Sequence, residues 1–228
     1  MDVALQHGRL EVVQVLLERD SPQWRDELLA NNRGSVVMAA ACKALHIDII
    51  RRLFELAGDK VADFFIMGLP PALAYAVKFR WLLRSALSLE PPREDSDDHK
   101  KEIPVKLLLN TSQAAQKAAI WAMCNADDGE TVKLLLKAGA NPNYGLNICT
   151  ETLDTLESMS NDVNVKSVDF GLDYPLIRAV RISNIHMVET LLDAGADVNV
   201  LGRKGASALS IAISKAFSPL KTPNERNN

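Results

Sequence analysis

The chain has 228 residues, a net charge of −3 and a pI near 5.8, with 47% hydrophobic and 24% charged residues. That is ample apolar material for a folded core, and the dispersed basic residues and acidic pI argue against a nucleic-acid binder. Only 5% of the residues are aromatic, and the abundance of alanine and leucine favours closely packed helices over sheets.

The N-terminus, MDVALQHGRLEVV, lacks a basic segment followed by an apolar one, so it does not read as a secretory signal. The stretch MDVALQHGRLEVVQVLLERD predicts a short helix, a turn and a second helix with Val12, Val13, Leu16 and Leu17 on one face. The same order recurs in MAAACKALHIDIIRRLFELAG, residues 38–58. Next comes the most apolar window, VADFFIMGLPPALAYAV, interrupted by Asp63 and the Pro70-Pro71 pair. It falls short of a comfortable membrane span and reads as buried core between helices. PPALAYAVKFRWLLRSALSL predicts the first helix of a third unit, and IPVKLLLN, residues 103–110, its second. Two prolines and a dense charge run make EPPREDSDDHKKE between them an exposed loop.

The helix-turn-helix order returns in IWAMCNADDGETVKLLLKAGANPN, residues 120–143. An insertion follows over 144–173, within which ETLDTLESM predicts one short helix. Then LIRAV opens a further unit, with a turn at Ser183-Asn184, the helix IHMVETLLDA and the connector GADVN. LSIAI opens the next one, 33 residues after LIRAV. Its first helix, 206–216, runs into Pro219 and Pro223, which preclude a regular second helix.

Each part of this repeat has a physical reason. The first helix carries a small residue at a fixed offset, Ala4, Ala41, Ala179 or Ala212, which lets its partner approach closely; Met123 departs from this. Gly139 and Gly195 follow the second helix, where a left-handed residue ends it. Such a pair cannot bury its apolar face alone, so neighbours must stack on it in a row.

LLDAGADVN at 191–199 and LLKAGANPN at 135–143 resemble the ankyrin repeat family. The resemblance implies a unit of about 33 residues with two antiparallel helices and a β-hairpin finger. The family's TPLH signature is eroded here. Its threonine position holds Tyr174 or Ser207, and its histidine position holds Ile177, Ser210, Trp121 or Ala39. The fold expected is all-α, an ankyrin-type helical repeat solenoid of about five to six helix-turn-helix units. Its fingers would be short or reduced, with two acidic insertions.

The expected units are 1–32, 33–67, 68–112 with an inserted loop at 89–102, 113–143, 174–200 and a partial unit at 201–216, one array over 1–216. Residues 144–173 form an acidic insertion and 217–228 a flexible tail. Residues 89–102 carry six acids and three bases, and 144–173 carry six acids and one base, so the remaining body is mildly basic. The first unit starts without its finger and the last has half its helices, so the chain reads as a fragment of a longer protein or an array with minimal caps.

No catalytic constellation is present, and no catalytic, cofactor or metal site is expected. The three cysteines, Cys42, Cys124 and Cys149, are far apart and contain no CxxC pair, which suits a reducing compartment. Cys42 and His46 have chelating spacing only if no turn separates them. CNADDGE fails as a calcium loop and reads as a helix-helix turn capped by Asp127 or Asp128. GRKGAS lacks the phosphate-loop pattern.

The resemblance implies a non-catalytic scaffold that binds another protein on a concave face made by fingers and first helices. Transferred position by position, the contact residues are Gln6, His7, Lys43, Lys78, Asn125, Arg181 and Ile182, with Arg203 and Lys204 on the last finger. No nucleic acid, membrane, small-molecule substrate or cofactor is expected, and the expected compartment is intracellular, cytoplasmic or nuclear. Two alternatives stay open: a substrate-recruiting segment of a larger enzyme or ubiquitin-ligase adaptor, and a microbial host-directed effector.

Overall fold

The computed structural model describes residues 10–18, 22–30, 33–68, 70–92, 104–144, 174–202 and 205–217. Within them lie twelve α-helices: α1 (Leu10–Glu18), α2 (Pro22–Leu29), α3 (Arg33–Ala44), α4 (Ile47–Ala57), α5 (Val61–Ile66), α6 (Leu73–Ala76), α7 (Arg80–Ser88), α8 (Gln113–Asn125), α9 (Gly129–Lys137), α10 (Pro175–Arg181), α11 (Ile185–Asp193) and α12 (Ala208–Phe217). Among the described residues there is no strand, and the single β-pairing is an isolated antiparallel bridge between Leu201 and Ser207. The chain is all-α there, as its composition suggests.

Short turns join the helices into pairs: α3 with α4, α6 with α7, α8 with α9, and α10 with α11. The first members pack on one another in succession, α3 on α6, α6 on α8, α8 on α10 and α10 on α12. Second members form another row, with α1 on α4 and α9 on α11. The core runs continuously between them. Ala41 and Ala179 are fully buried at the small-residue offset, as is Ala76 on α6; Met123 is fully buried at the same place on α8. Ala212, in contrast, is exposed on α12.

The helix ends explain how the same layer is built repeatedly. After α9, the Ala140 N–H donates to the Leu135 carbonyl (3.0 Å) and Gly139 N–H to that of Leu136 (2.9 Å), with Gly139 at φ +93°. After α11, Ala196 donates to Leu191 (2.9 Å) and Gly195 to Leu192 (2.9 Å), with Gly195 at φ +81°. Both are the paired 6→1 and 5→2 closure that satisfies the last carbonyls of a helix. Leu135 and Leu191 are both fully buried. The turns within the pairs use a related device. Leu45 and Ser183 take positive φ after α3 and α10, and His46 N–H and Asn184 N–H return to Ala41 and Ala179 (3.0 and 3.1 Å). Helix starts are capped as well, with Asp128 accepting from Thr131 N–H (2.7 Å) and Asn184 from Met187 N–H (3.0 Å).

Two expectations need correction. Among the described residues no hairpin finger follows α1 or α4; helices α2 and α5 stand there, and α5 lies in the window read as buried core. The reason is plain in VADFFI. Val61, Phe64 and Phe65 are too apolar to stand in a projecting hairpin, and α5 instead packs them against α3 and α8. Phe64 lies directly over Gly34, where a Cβ would fall only 2.1 Å from the ring.

The second correction concerns the third pair. Its second helix is α7, not residues 103–110, and its first is only α6. VKLLL at 105–109 has the letters of VKLLL at 132–136 but not the flanks. Pro104 precedes it, and Ser112 already caps α8 by accepting from Ala115 N–H (3.1 Å). Residues 106–109 instead run non-helically between layers, with Lys106 and Leu107 donating to Leu87 (2.8 and 2.9 Å) and Leu109 to Ala138 (2.7 Å).

Polar side chains stitch the layers. Asn143 donates through Nδ2 to the Gly195 carbonyl (2.9 Å) and accepts from Asp197 N–H through Oδ1 (2.7 Å). Arg52 Nε donates to the Leu17 carbonyl at the end of α1 (3.1 Å), and Arg178 Nε to that of Cys124 (3.1 Å). Asn184 Nδ2 reaches the Asp127 carbonyl (2.9 Å).

Gly34→Ala is expected to destabilise the fold by about 1–2 kcal/mol, the overpacking strain exceeding alanine's helix propensity. A lowered urea midpoint that Phe64→Leu partly restores would show this. Asn143→Ala removes both bonds to the 195–197 turn and is expected to cost about 1 kcal/mol, read as faster amide exchange at Asp197 with α3–α4 unchanged.

Candidate protein-binding surface

The row of first helices defines one face of the molecule, and its charge is one-sided. The charged residues of α3, α6, α8, α10 and α12 are Arg33, Lys43, Lys117, Arg178, Arg181 and Lys215, with no carboxylate. The other row carries acids on most of its helices, including Asp48 and Glu55 on α4, Glu130 on α9, and Glu189 and Asp193 on α11. Part of this segregation has a local cause. Lys43, Arg178, Arg181 and Lys215 lie in last turns, where a cation offsets the carbonyl end of the helix dipole. Lys215 Nζ donates to the Arg181 carbonyl and to Ser183 Oγ. The Arg33 guanidinium pairs with Glu27.

Because the first helices pack in register, four of the residues singled out by sequence lie at corresponding ends of successive helices. Lys43 is exposed near the end of α3 and Lys78 is exposed just after α6. Asn125 ends α8 and is half-buried, its Nδ2 donating to the Trp121 carbonyl (2.8 Å). Arg181 ends α10 and is half-buried. Ile182 behaves differently from an exposed contact: it packs against the core cluster. Gln6, His7, Arg203 and Lys204 lie outside the described residues, as do residues 93–103, 145–173 and 218–228 of the insertions and tail.

Sequence reasoning passed over Arg80 and Trp81, which a single long helix over 70–89 would have hidden in its middle. The turn at 77–79 places them at the start of α7, with Arg80 exposed and Trp81 half-buried. The signal was present in KFRWLLR, where bases and aromatics alternate without an acid.

Cys42 and Cys124 are buried, and burial pushes the Cys42 thiol up to about 12, far from a nucleophilic thiolate. Cys42 ends up on α3 and His46 beyond its last turn. No group of three metal-binding side chains occurs among the described residues, and no described helix is long and apolar enough to cross a membrane. His186 lies 3.8 Å from Glu130, an exposed contact between α9 and α11, and 4.0 Å from Glu189 on its own helix.

The eroded signature positions are filled in two ways. Tyr174 gives no side-chain cap to α10, whereas Ser207 Oγ accepts from Ser210 N–H (3.1 Å) at the start of α12. Ile177, at the histidine position, is fully buried.

Stacked helix pairs, left-handed closures after each second helix and side-chain bonds from layer to layer define a helical repeat protein. The ankyrin repeat family model matches residues 172–203, so the chain contains an ankyrin repeat, formed by α10, α11 and the connector that follows. No curated protein and no solved structure gives a match. Ankyrin repeats are generally non-catalytic modules of protein-protein interaction.

Cys42 in the native chain is expected to resist maleimide at pH 8, since its thiol stays protonated until near pH 12 and is enclosed. Peptide mapping should find it labelled only after denaturation.

Proposed function

We propose that the chain is a non-catalytic scaffold that binds a partner protein along the face of its first helices. One observation carries this reading: successive first helices pack side by side and carry no carboxylate, while acids gather on the opposite row. Helix-end electrostatics accounts for part of this division, but not for the lack of a carboxylate on all five first helices. The stacked layers also hold that face rigid before a partner arrives, which reduces the ordering cost of binding.

The residues proposed for contact are Gln6, His7, Lys43, Lys78, Asn125, Arg181, Ile182, Arg203 and Lys204. The units proposed are those drawn from the sequence, with 144–173 inserted between the fourth and fifth; the pairs α3–α4, α6–α7, α8–α9 and α10–α11 support that division.

The test is a pull-down comparing the intact chain with one carrying Arg181→Glu, Arg203→Glu and Lys204→Glu. A protein retained by the intact chain is expected to be lost from the reversed one, with helical content unchanged by circular dichroism. Equal retention by both chains would place the contact elsewhere.

A further inference from the structure

We propose that Lys78, Phe79, Arg80 and Trp81 at the α6–α7 turn, with Lys43 on the adjoining α3, dock a short acidic segment of a partner protein. The inference rests on the protein-binding reading and narrows it to one place and one partner chemistry.

Charge is the first argument. Helices α3, α6 and α7 and the turn between the last two contain no carboxylate. Lys43, Lys78 and Arg80 are exposed, and among the described residues their side chains form no ion pair or hydrogen bond. Glu90 pairs with Lys106 (3.0 Å), Asp48 on α4 approaches Arg51 (3.9 Å), and Arg84, farther along α7, is half-buried and has a partner. Helix stability accounts for Lys43 at the end of α3 but not for Arg80. Arg80 opens α7, where positive charge opposes the helix dipole, and Phe79 supplies no side-chain cap.

Shape is the second. Phe79 and Trp81 are half-buried, with ring centroids 6.4 Å apart and planes tilted by 42°. They are anchored on the core yet keep part of each ring in solvent beside the cations. This offers an apolar shelf for one side chain and flanking cations for carboxylates, with aromatic and arginine residues of the kind that concentrate binding energy.

A protein segment fits this surface better than a nucleic acid or a membrane. The chain as a whole carries −3, and its bases are dispersed rather than drawn into the long basic stripe that tracks a polyanion. The cations are confined to the adjoining ends of two helix pairs, room for a few acidic side chains.

The experiment uses the full chain and a fluorescein-labelled peptide of alternating Glu and Asp with one central Phe, followed by anisotropy. A Gln/Asn peptide of the same length, phosphatidylserine vesicles and a single-stranded RNA are the comparisons. The acidic peptide is expected to bind, more weakly as salt rises, and K78E/R80E to lose about tenfold or more in affinity. Trp81→Leu is expected to lose about threefold while keeping the salt dependence. Lys133→Glu, an exposed change on α9, should leave binding unchanged.

Absent binding, equal loss in K78E/R80E and K133E, or preference for vesicles or RNA would overturn the proposal. So would a natural partner retained by K78E/R80E but lost on Arg181→Glu, which would leave the scaffold reading standing. Loss of the partner on K78E/R80E but not on Arg181→Glu, with peptide binding intact, would instead support the docking site and count against the wider face.

Discussion

Every helix pair in this chain has more apolar surface than it can hide within itself. In α10–α11, Leu176, Ile177, Ala179, Met187 and Leu191 are all buried, yet no pair of seven- and nine-residue helices encloses that many side chains alone. They are covered because α8 and α9 lie on one side. Stability is therefore held between layers rather than within them. The polar bonds follow the same direction: Asn143 to the 195–197 turn, Arg178 to Cys124, and Arg52 to Leu17.

That constraint also governs what the surface can do. First helices must approach closely to share a core, so their facing positions are small or apolar, and their polar residues are confined to outer positions and ends. Lys43, Lys78, Asn125 and Arg181 thus recur at comparable places without any local contact drawing them together. Their common placement is a product of stacking rather than of contacts between them. Where the usual connector was replaced, as by α5, the core gained Phe64 and Phe65 at the cost of requiring glycine at position 34.

Much of this was legible in the chain. The stripes of α4, α9 and α11, the glycines at 139 and 195, and the caps at Asp128 and Asn184 announce themselves by local rules of spacing and dihedral preference. The split at 77–79 was not. AYAVKFRWLL keeps a helical pattern through the break, and the turn is closed by Phe79 N–H to Ala76 (3.1 Å) rather than by a glycine or an Asx cap. A helix drawn through that pattern puts Arg80 and Trp81 in its interior, whereas the structure puts them at the start of α7. Residues 105–109 misled in the opposite sense, because identical letters at 132–136 form a helix only with Asp128 before them and Gly139 after.

The sequence by itself determined the unit: two short amphipathic helices, a turn, and a left-handed residue to close the second. It did so because periodicity, capping and positive φ are properties of a few consecutive residues. Tertiary structure decided which segment pairs with which, that α2 and α5 stand where projecting hairpins were expected, and that four distant residues lie at corresponding helix ends. Those outcomes depend on what each apolar face finds to cover it, and that is a matter of neighbours in space.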